Sequence, residues 1–464
     1  MDSHCDTTAK QSRSIFGDST RFAVLALTII CITLVLCNSL AFNFTVICMG
    51  TDSQNATTVY DYTTSQKGWL FSAIAIGSLI GTIPITELFM RYGMRRVQTG
   101  YGMISAIATL LSPLAASQGY YYLFAMRVLQ GFALTITYPA RGSVTANWST
   151  LSGSGIYMAL LSCHLQFGPM FTMPLAGAFC ISPIGWTGIY YLQGILTVFF
   201  FSLFYYYYRD TPRLHKAVSA KELSKIEKGK TCCDKKPGKT PYRDICTDLS
   251  IVGCWICWLG GSLSFQIFLQ YGPTYLNKVL HYEVASTGLA TAVPFLLSFI
   301  TKLFAGPFSD YATCISERAR IITFTVASQG TMSICFIILA STPTDNSFIG
   351  WLAYTAAVVF SGLNVVGMLK CCQLVSRQFI PFVMAVQAFI NSLSMLMLPY
   401  FVSFMVPTNA PEEWAIVFYI ICGIVIVTTV FFCFACKAEA ALWTKEINRT
   451  DSDNKEKNDE KRKY

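Results

Sequence analysis

The chain has 464 residues, of which 53% are hydrophobic, 14% aromatic and only 13% charged. That leaves too little polar surface for a soluble globular protein of this size and describes a polytopic membrane protein. The net charge of +9 does not point to nucleic acid, because the basic residues gather in the 209–247 segment and after Lys437, as on the cytosolic side of a membrane protein.

The first 21 residues are polar, and the apolar run that follows, 22–49, is too long for the core of a signal peptide. Further runs of spanning length fall at 69–90, 97–117, 120–140, 154–180 and 186–208. A Lys-rich break comes next, then runs at 249–271, 284–309, 321–341, 348–372, 379–403 and 414–436. At about 1.5 Å per residue, runs of this kind cross the roughly 30 Å hydrocarbon layer of a bilayer. The expected fold is all-α, twelve transmembrane helices in two six-helix bundles. A tail over 1–21 precedes the first bundle, 22–208; a basic linker, 209–248, leads to the second, 249–436; a charged tail, 437–464, ends the chain.

Threading twelve spans alternately puts Arg13, Arg21, Arg91, Arg95, Arg96, Arg141, the linker lysines, Arg318 and Arg320 on one side. Both termini are therefore expected in the cytosol. The sequon at Asn55 falls on the opposite side, where a glycan can be added. A plasma membrane and an endolysosomal or vesicle membrane fit equally well. In the linker, AVSAKELSKIEKGK reads as an amphipathic helix with Val218, Leu223 and Ile226 on one face. It is expected either in solvent or against anionic lipid headgroups.

The fourth run carries Arg127 in its middle. An arginine there costs at least a few kcal/mol against lipid, so it is expected to face a water-filled cavity. Gly131, Leu134 and Tyr138 follow on the same face, with Gln130 beside them. A guanidinium in that place holds a carboxylate or phosphate by two parallel hydrogen bonds; the other reading is a structural arginine tied to backbone carbonyls. In the seventh run Ser262, Gln266 and Gln270 form a polar stripe, which either lines the cavity or bonds across helices.

Lys370 and His164 are candidates for a second charge or a proton site, against the alternatives of a snorkelling lysine, as at Lys302, and a packed neutral histidine. Gln387 and Asn391 share a face and are expected to bond between helices. The 18 cysteines mostly lie singly in apolar runs and read as packing residues, with Cys433 and Cys436 as candidates for palmitoylation. With four histidines, none paired at ligand spacing, no metal site is expected. No nucleophile–base constellation suggests an enzyme.

Two related segments follow the second and eighth runs: Glu87 with Arg91-Tyr-Gly93-Met-Arg95-Arg96, and Gly306-Pro-Phe-Ser-Asp310 with Glu317-Arg318-Ala-Arg320. Together they resemble the signature of the major facilitator superfamily. That resemblance implies a charge latch, made here by Glu87, Arg91, Gly93, Arg95, Gly306, Asp310 and Arg318, that closes and opens as a cavity alternates between the two sides. Within the superfamily, Gly68-Trp69, Arg127-Val-Leu-Gln-Gly131, Tyr138-Pro-Ala140, Asp210-Thr-Pro212, His215, Glu222 and Glu412-Glu-Trp414 recur in order over about residues 20–443. They resemble the anion/cation symporter family that includes sialin, the sodium–phosphate cotransporters and the vesicular glutamate transporters.

This resemblance implies two pseudo-symmetric bundles, a monomer in the lipid bilayer, and secondary transport of a small anionic solute. Sodium or proton would be the coupling ion, with no cofactor. The implied substrate site is Arg127, Tyr138 and Asn43 with the Ser262, Gln266 and Gln270 stripe. Three family charges are missing: Ala41 stands for an arginine, Leu134 for a glutamate and Gly261 or a neighbour for a second arginine. An uncoupled facilitator or exchanger, and a non-transporting sensor that kept the fold, are the alternatives these losses raise.

Overall fold

The computed structural model describes residues 19–49, 62–150, 153–228, 241–311, 315–342, 346–365, 367–376 and 379–444; Asn55 lies outside them. The first bundle comprises α1 (Thr20–Thr45), α2 (Thr64–Gln118), α3 (Tyr120–Leu134), α4 (Thr137–Trp148), α5 (Ser154–Ser162), α6 (His164–Ile181) and α7 (Thr187–Tyr207). Two short helices, α8 (Ala220–Glu227) and α9 (Tyr242–Thr247), lead to the second. That bundle holds α10 (Leu249–Lys278), α11 (Val284–Tyr311), α12 (Glu317–Ser341), α13 (Ser347–Ser361), α14 (Met368–Ser376), α15 (Ile380–Met405) and α16 (Pro411–Ala435).

Ten described segments are long and apolar enough to cross a bilayer. The fourth and fifth expected spans are each split, α3 from α4 at Thr135–Ile136 and α5 from α6 at Cys163. The tenth is split by a 3-10 turn over Gly362–Val365. Conversely, the second and third expected spans form one element, whose helix is interrupted only at Gly93 (φ 77°, ψ 163°). That left-handed backbone favours glycine, and an added Cβ would also stand 2.7 Å from Asp210 Oδ2.

Carboxylates from elsewhere in the chain cap the two helix starts at the basic end. The restart after Gly93 gives its Arg95 N–H to Asp210 Oδ1 at 2.9 Å. The first turn of α1 gives Thr20 N–H and Arg21 N–H to the two oxygens of Glu222, at 3.2 and 2.8 Å. Free N–H groups and the positive end of the helix dipole both favour an anion there. Glu222 is fully buried and Ile226 is 1% exposed, so α8 docks on the first bundle and presents its apolar face to protein. This corrects the expectation of a helix in solvent or on headgroups.

Inside the first bundle α2 and α3 meet through glycines. A Cβ on Gly77 would lie 1.9 Å from Val128 O, and one on Gly131 2.0 Å from Ile74 O. Small residues let two backbones approach this closely, and dispersion then supplies the attraction that lipid tails cannot. Between the bundles, α2 packs on α15 and α6 on α11. Phe71–Tyr271 (4.9 Å), Trp69–Tyr400 (4.8 Å) and Ser72 Oγ donating to Leu396 O (3.2 Å) draw the halves together near the starts of α2 and the ends of α10 and α15.

At that same end Cys48 and Cys180 form a disulfide, with Cα atoms 6.0 Å apart. It corrects the reading of these two cysteines as packing residues. The bond ties the end of α1 to the end of α6. Cys254 and Cys257, by contrast, are free and buried.

A Gly131→Val substitution is expected to force α2 and α3 apart at a cost on the order of 3 kcal/mol. A lower melting temperature and an aggregated peak in gel filtration would report it. Gly142→Ala is the control, since a Cβ there meets nothing within 4 Å.

Candidate functional site

The inner faces of α1 to α6 and α10 to α15 surround a central cavity with about 1470 Å³ of empty space, part of it continuous with solvent. Arg127 lines it, as expected, and is 1% exposed. Its Nε donates to Leu70 O at 3.1 Å and its Nη1 to Ser39 O at 2.7 Å, while the guanidinium carbon stands 4.7 Å from the centre of the Phe42 ring. The structural reading of this residue is thus realised, and so is its expected place beside the cavity. Two of the five N–H donors of a guanidinium pin α3 to α1 and α2, and the group still borders the cavity. Gln130 and Gly131 turn away: Gln130 Nε2 donates to Thr109 Oγ1 at 3.0 Å, and Gly131 sits in the α2 contact.

Asn43, Tyr138, Ser262, Gln266 and Gln270 all line the same cavity. Asn43 Nδ2 donates to Leu269 O across the two bundles at 3.3 Å. The α10 stripe is joined by Asn391 of α15, whose Oδ1 accepts from Ser262 Oγ at 3.0 Å and from Gln266 Nε2 at 3.3 Å. Gln270 Nε2 then reaches Gln266 Oε1 at 3.4 Å. The stripe both faces the cavity and bonds between helices, so the two sequence readings are again compatible. These bonds hold the stripe in a fixed orientation and leave Gln270 Oε1 buried without a partner among the described residues.

His164 lines the cavity with Nδ1 2.8 Å from Leu161 O. Lys370 does not: its Nζ lies 4.0 Å from Glu317 Oε1, and Glu317 also pairs with Arg320. The lysine that enters the cavity is Lys302, 7% exposed, whose Nζ donates to Ser162 Oγ at 2.6 Å. The sequence left both lysines between a cavity charge and a snorkelling side chain; the structure places Lys302 in the cavity and Lys370 outside it, near Glu317. Arg141, read only as a topology signal, also lines the cavity, stacked 4.5 Å over the Tyr138 ring. The helical count that led from Arg127 to Tyr138 reaches Arg141 one turn further on. Among the described residues that line the cavity there is no aspartate or glutamate.

The expected latch is arranged differently from the signature. Glu87 and Arg91 are exposed. The carboxylate at this kink is Asp210, beside Gly93 and bonded to the Arg95 backbone, while Arg95 Nε donates to Tyr205 O at 2.6 Å. Arg318 is exposed on α12, and the side chains at positions 306 and 310 are outside the described residues.

The family model of the Major Facilitator Superfamily matches residues 25–399. Human sialin is 23% identical over 393 residues, covering 83% of this chain and 78% of sialin. Mouse sodium-dependent phosphate transport protein 1 is 23% identical over 405 residues, covering 84% and 85%. The mouse probable small intestine urate exporter is 25% identical over 404 residues, covering 84% and 79%. Among solved structures, a D-xylose-proton symporter superposes with a TM-score of 0.67 at 13% identity, over 90% of this chain and 98% of that one. A bacterial homologue of the human lysosomal transporter Spinster, inward-facing and occupied, gives 0.64 at 13%, over 90% and 97%.

Replacing Asn391 by Leu leaves Ser262 Oγ and Gln266 Nε2 without their shared acceptor. The expected loss is about 1–3 kcal/mol of stability, read as a lower unfolding temperature in detergent. An unchanged temperature would mean that water replaces the amide.

Proposed function

This chain belongs to the Major Facilitator Superfamily, and on that premise we propose that it is a secondary transporter carrying a small anion, organic or inorganic phosphate, by alternating access. One observation carries the reading: Arg127, Arg141, Lys302 and His164 face one cavity in which the described lining residues include no carboxylate. Unpaired positive charge inside a helical bundle is expensive, and a solute of opposite charge offsets that cost. Relatives named for phosphate and urate support the same class of cargo. The resemblance to membrane transporters, together with the cavity, favours a carrier over an enzyme.

The cross-bundle contacts at the disulfide end support a state closed on that side. We place that end outside the cytosol and both termini within it. Disulfides persist in oxidising compartments, and the basic residues lie at the other end.

For coupling we propose the proton. Among the described lining residues Arg141 and Lys302 repel a sodium ion, and no carboxylate there offsets them. His164 supplies an imidazole, a group that can take up and release a proton, and it lines the cavity together with Arg141, Lys302 and Ser162.

In proteoliposomes, Arg127→Gln is expected to lower uptake of the transported anion about a hundredfold, the equivalent of losing a charged hydrogen-bond pair worth about 2–3 kcal/mol. Gel filtration of the variant checks that the bundle still forms. Wild-type rates in the variant would remove Arg127 from the site, and absence of flux in the wild type for labelled phosphate, urate, glutamate and sialic acid would remove the transporter reading. An inward proton gradient is expected to drive accumulation, with choline replacing sodium at no cost in rate. A strict need for sodium would overturn the proton assignment.

A further inference from the structure

Arg127 is not the only place in the cavity built for negative charge. Thr135 and Ile136, where α3 passes into α4, keep right-handed helical angles (φ −57°, ψ −28° and φ −60°, ψ −25°), so the coil continues in one direction. Arg141 therefore stands about 20 Å beyond Arg127 along the rod, at about 1.5 Å per residue. One small anion cannot touch both.

Around Arg141 the chain gathers a second group of donors from both bundles. Arg141 is 8% exposed, and its Nε is buried without a hydrogen-bond partner among the described residues. Lys302 comes from α11 and gives one of its three ammonium protons to Ser162 Oγ. The Ser162 hydroxyl spends its own proton on Ala159 O, at 2.6 Å. His164 engages Leu161 O through Nδ1, which leaves Nε2 uncommitted. All of these side chains line the cavity. Arg141 and Lys302 act electrostatically on each other and on His164. What the group lacks, among the described lining residues, is a carboxylate.

We propose that Arg141, Lys302 and His164 form a second anion-binding station, separate from Arg127 and nearer the basic end of the cavity, that takes a small doubly charged oxyanion such as phosphate or sulfate. The assignment rests on the anion-carrier reading and adds to it a second stop on the path. A guanidinium, an amine and an imidazole match a divalent tetrahedral ion better than a monocarboxylate, which offers only two acceptor oxygens. Lys302 belongs to one bundle and Arg141 and His164 to the other. The station is therefore shared between the bundles, and their relative movement changes the spacing of its cations.

The test is equilibrium binding of radiolabelled phosphate and sulfate to the full chain in nanodiscs, beside uptake in proteoliposomes. Arg141→Gln and Lys302→Gln are each expected to weaken binding at least about tenfold. Arg127→Gln should leave a saturable component that a further Lys302→Gln removes. Lys302→Arg, which keeps the charge, should lose less than Lys302→Gln; an equal loss in both would mark the lysine as packing and overturn the station. If the wild type transports, Arg127→Gln abolishes all binding, and Arg141→Gln and Lys302→Gln bind like wild type, the carrier reading stands and the station falls. If the wild type neither binds nor moves either anion, the station falls with this class of cargo.

Discussion

Positive charge held inside a bundle of apolar helices, with no described carboxylate beside it, is the constraint on which the architecture of the cavity depends. A charge in that position must be bonded, hydrated or paired. Arg127 is partly satisfied by the carbonyls of Ser39 and Leu70, which makes it a structural pin between α1, α2 and α3 as well as a cavity group. Lys302 is satisfied by a hydroxyl from the other bundle. Arg141 rests on the Tyr138 ring and leaves its Nε unbonded. The three cations are thus held to different degrees, and the least satisfied has most to gain from a solute.

The same bundle has to move, and its contacts divide accordingly. Within the first half, Gly77 and Gly131 press backbone on backbone, a contact that tolerates no sliding. Beside the close packing of α6 on α11, where a Cβ on Gly288 would lie 2.7 Å from Met173 O, the halves are joined by rings and single hydrogen bonds: Phe71 on Tyr271, Trp69 on Tyr400, Asn43 to Leu269 O, Lys302 to Ser162. Each of these is worth on the order of 1 kcal/mol and is readily exchanged for another. Rigid halves joined by replaceable contacts are what rocking about a central site requires.

At the basic end, two carboxylates brought in by the segment after α7 stiffen the first half. Asp210 caps the restart after Gly93, and Glu222 caps α1. His215, set edge-on to both Trp148 and Tyr207, fixes the chain between them. The linker is therefore part of the first bundle's frame through α8, and only beyond it does the chain cross to the second.

The spans, the two bundles, the basic side and the arginine in the fourth run were all legible in the sequence, because hydrophobic length and charge are local properties that a bilayer reads residue by residue. The polar stripe on α10 was equally plain, since helical spacing alone puts Ser262, Gln266 and Gln270 on one face. The identity of the second cavity lysine was not: Lys302 and Lys370 look alike on the chain, and only the packing of α11 on α6 sends one inward while Glu317 meets the other. Nor could the sequence foretell that Asn391 would complete the stripe, that Cys48 would meet Cys180, or that Glu222 would leave the surface to cap α1. These pairings join residues far apart in the chain, and their partners are fixed by which helix faces touch, a property that belongs to the folded bundle and to no single stretch of it.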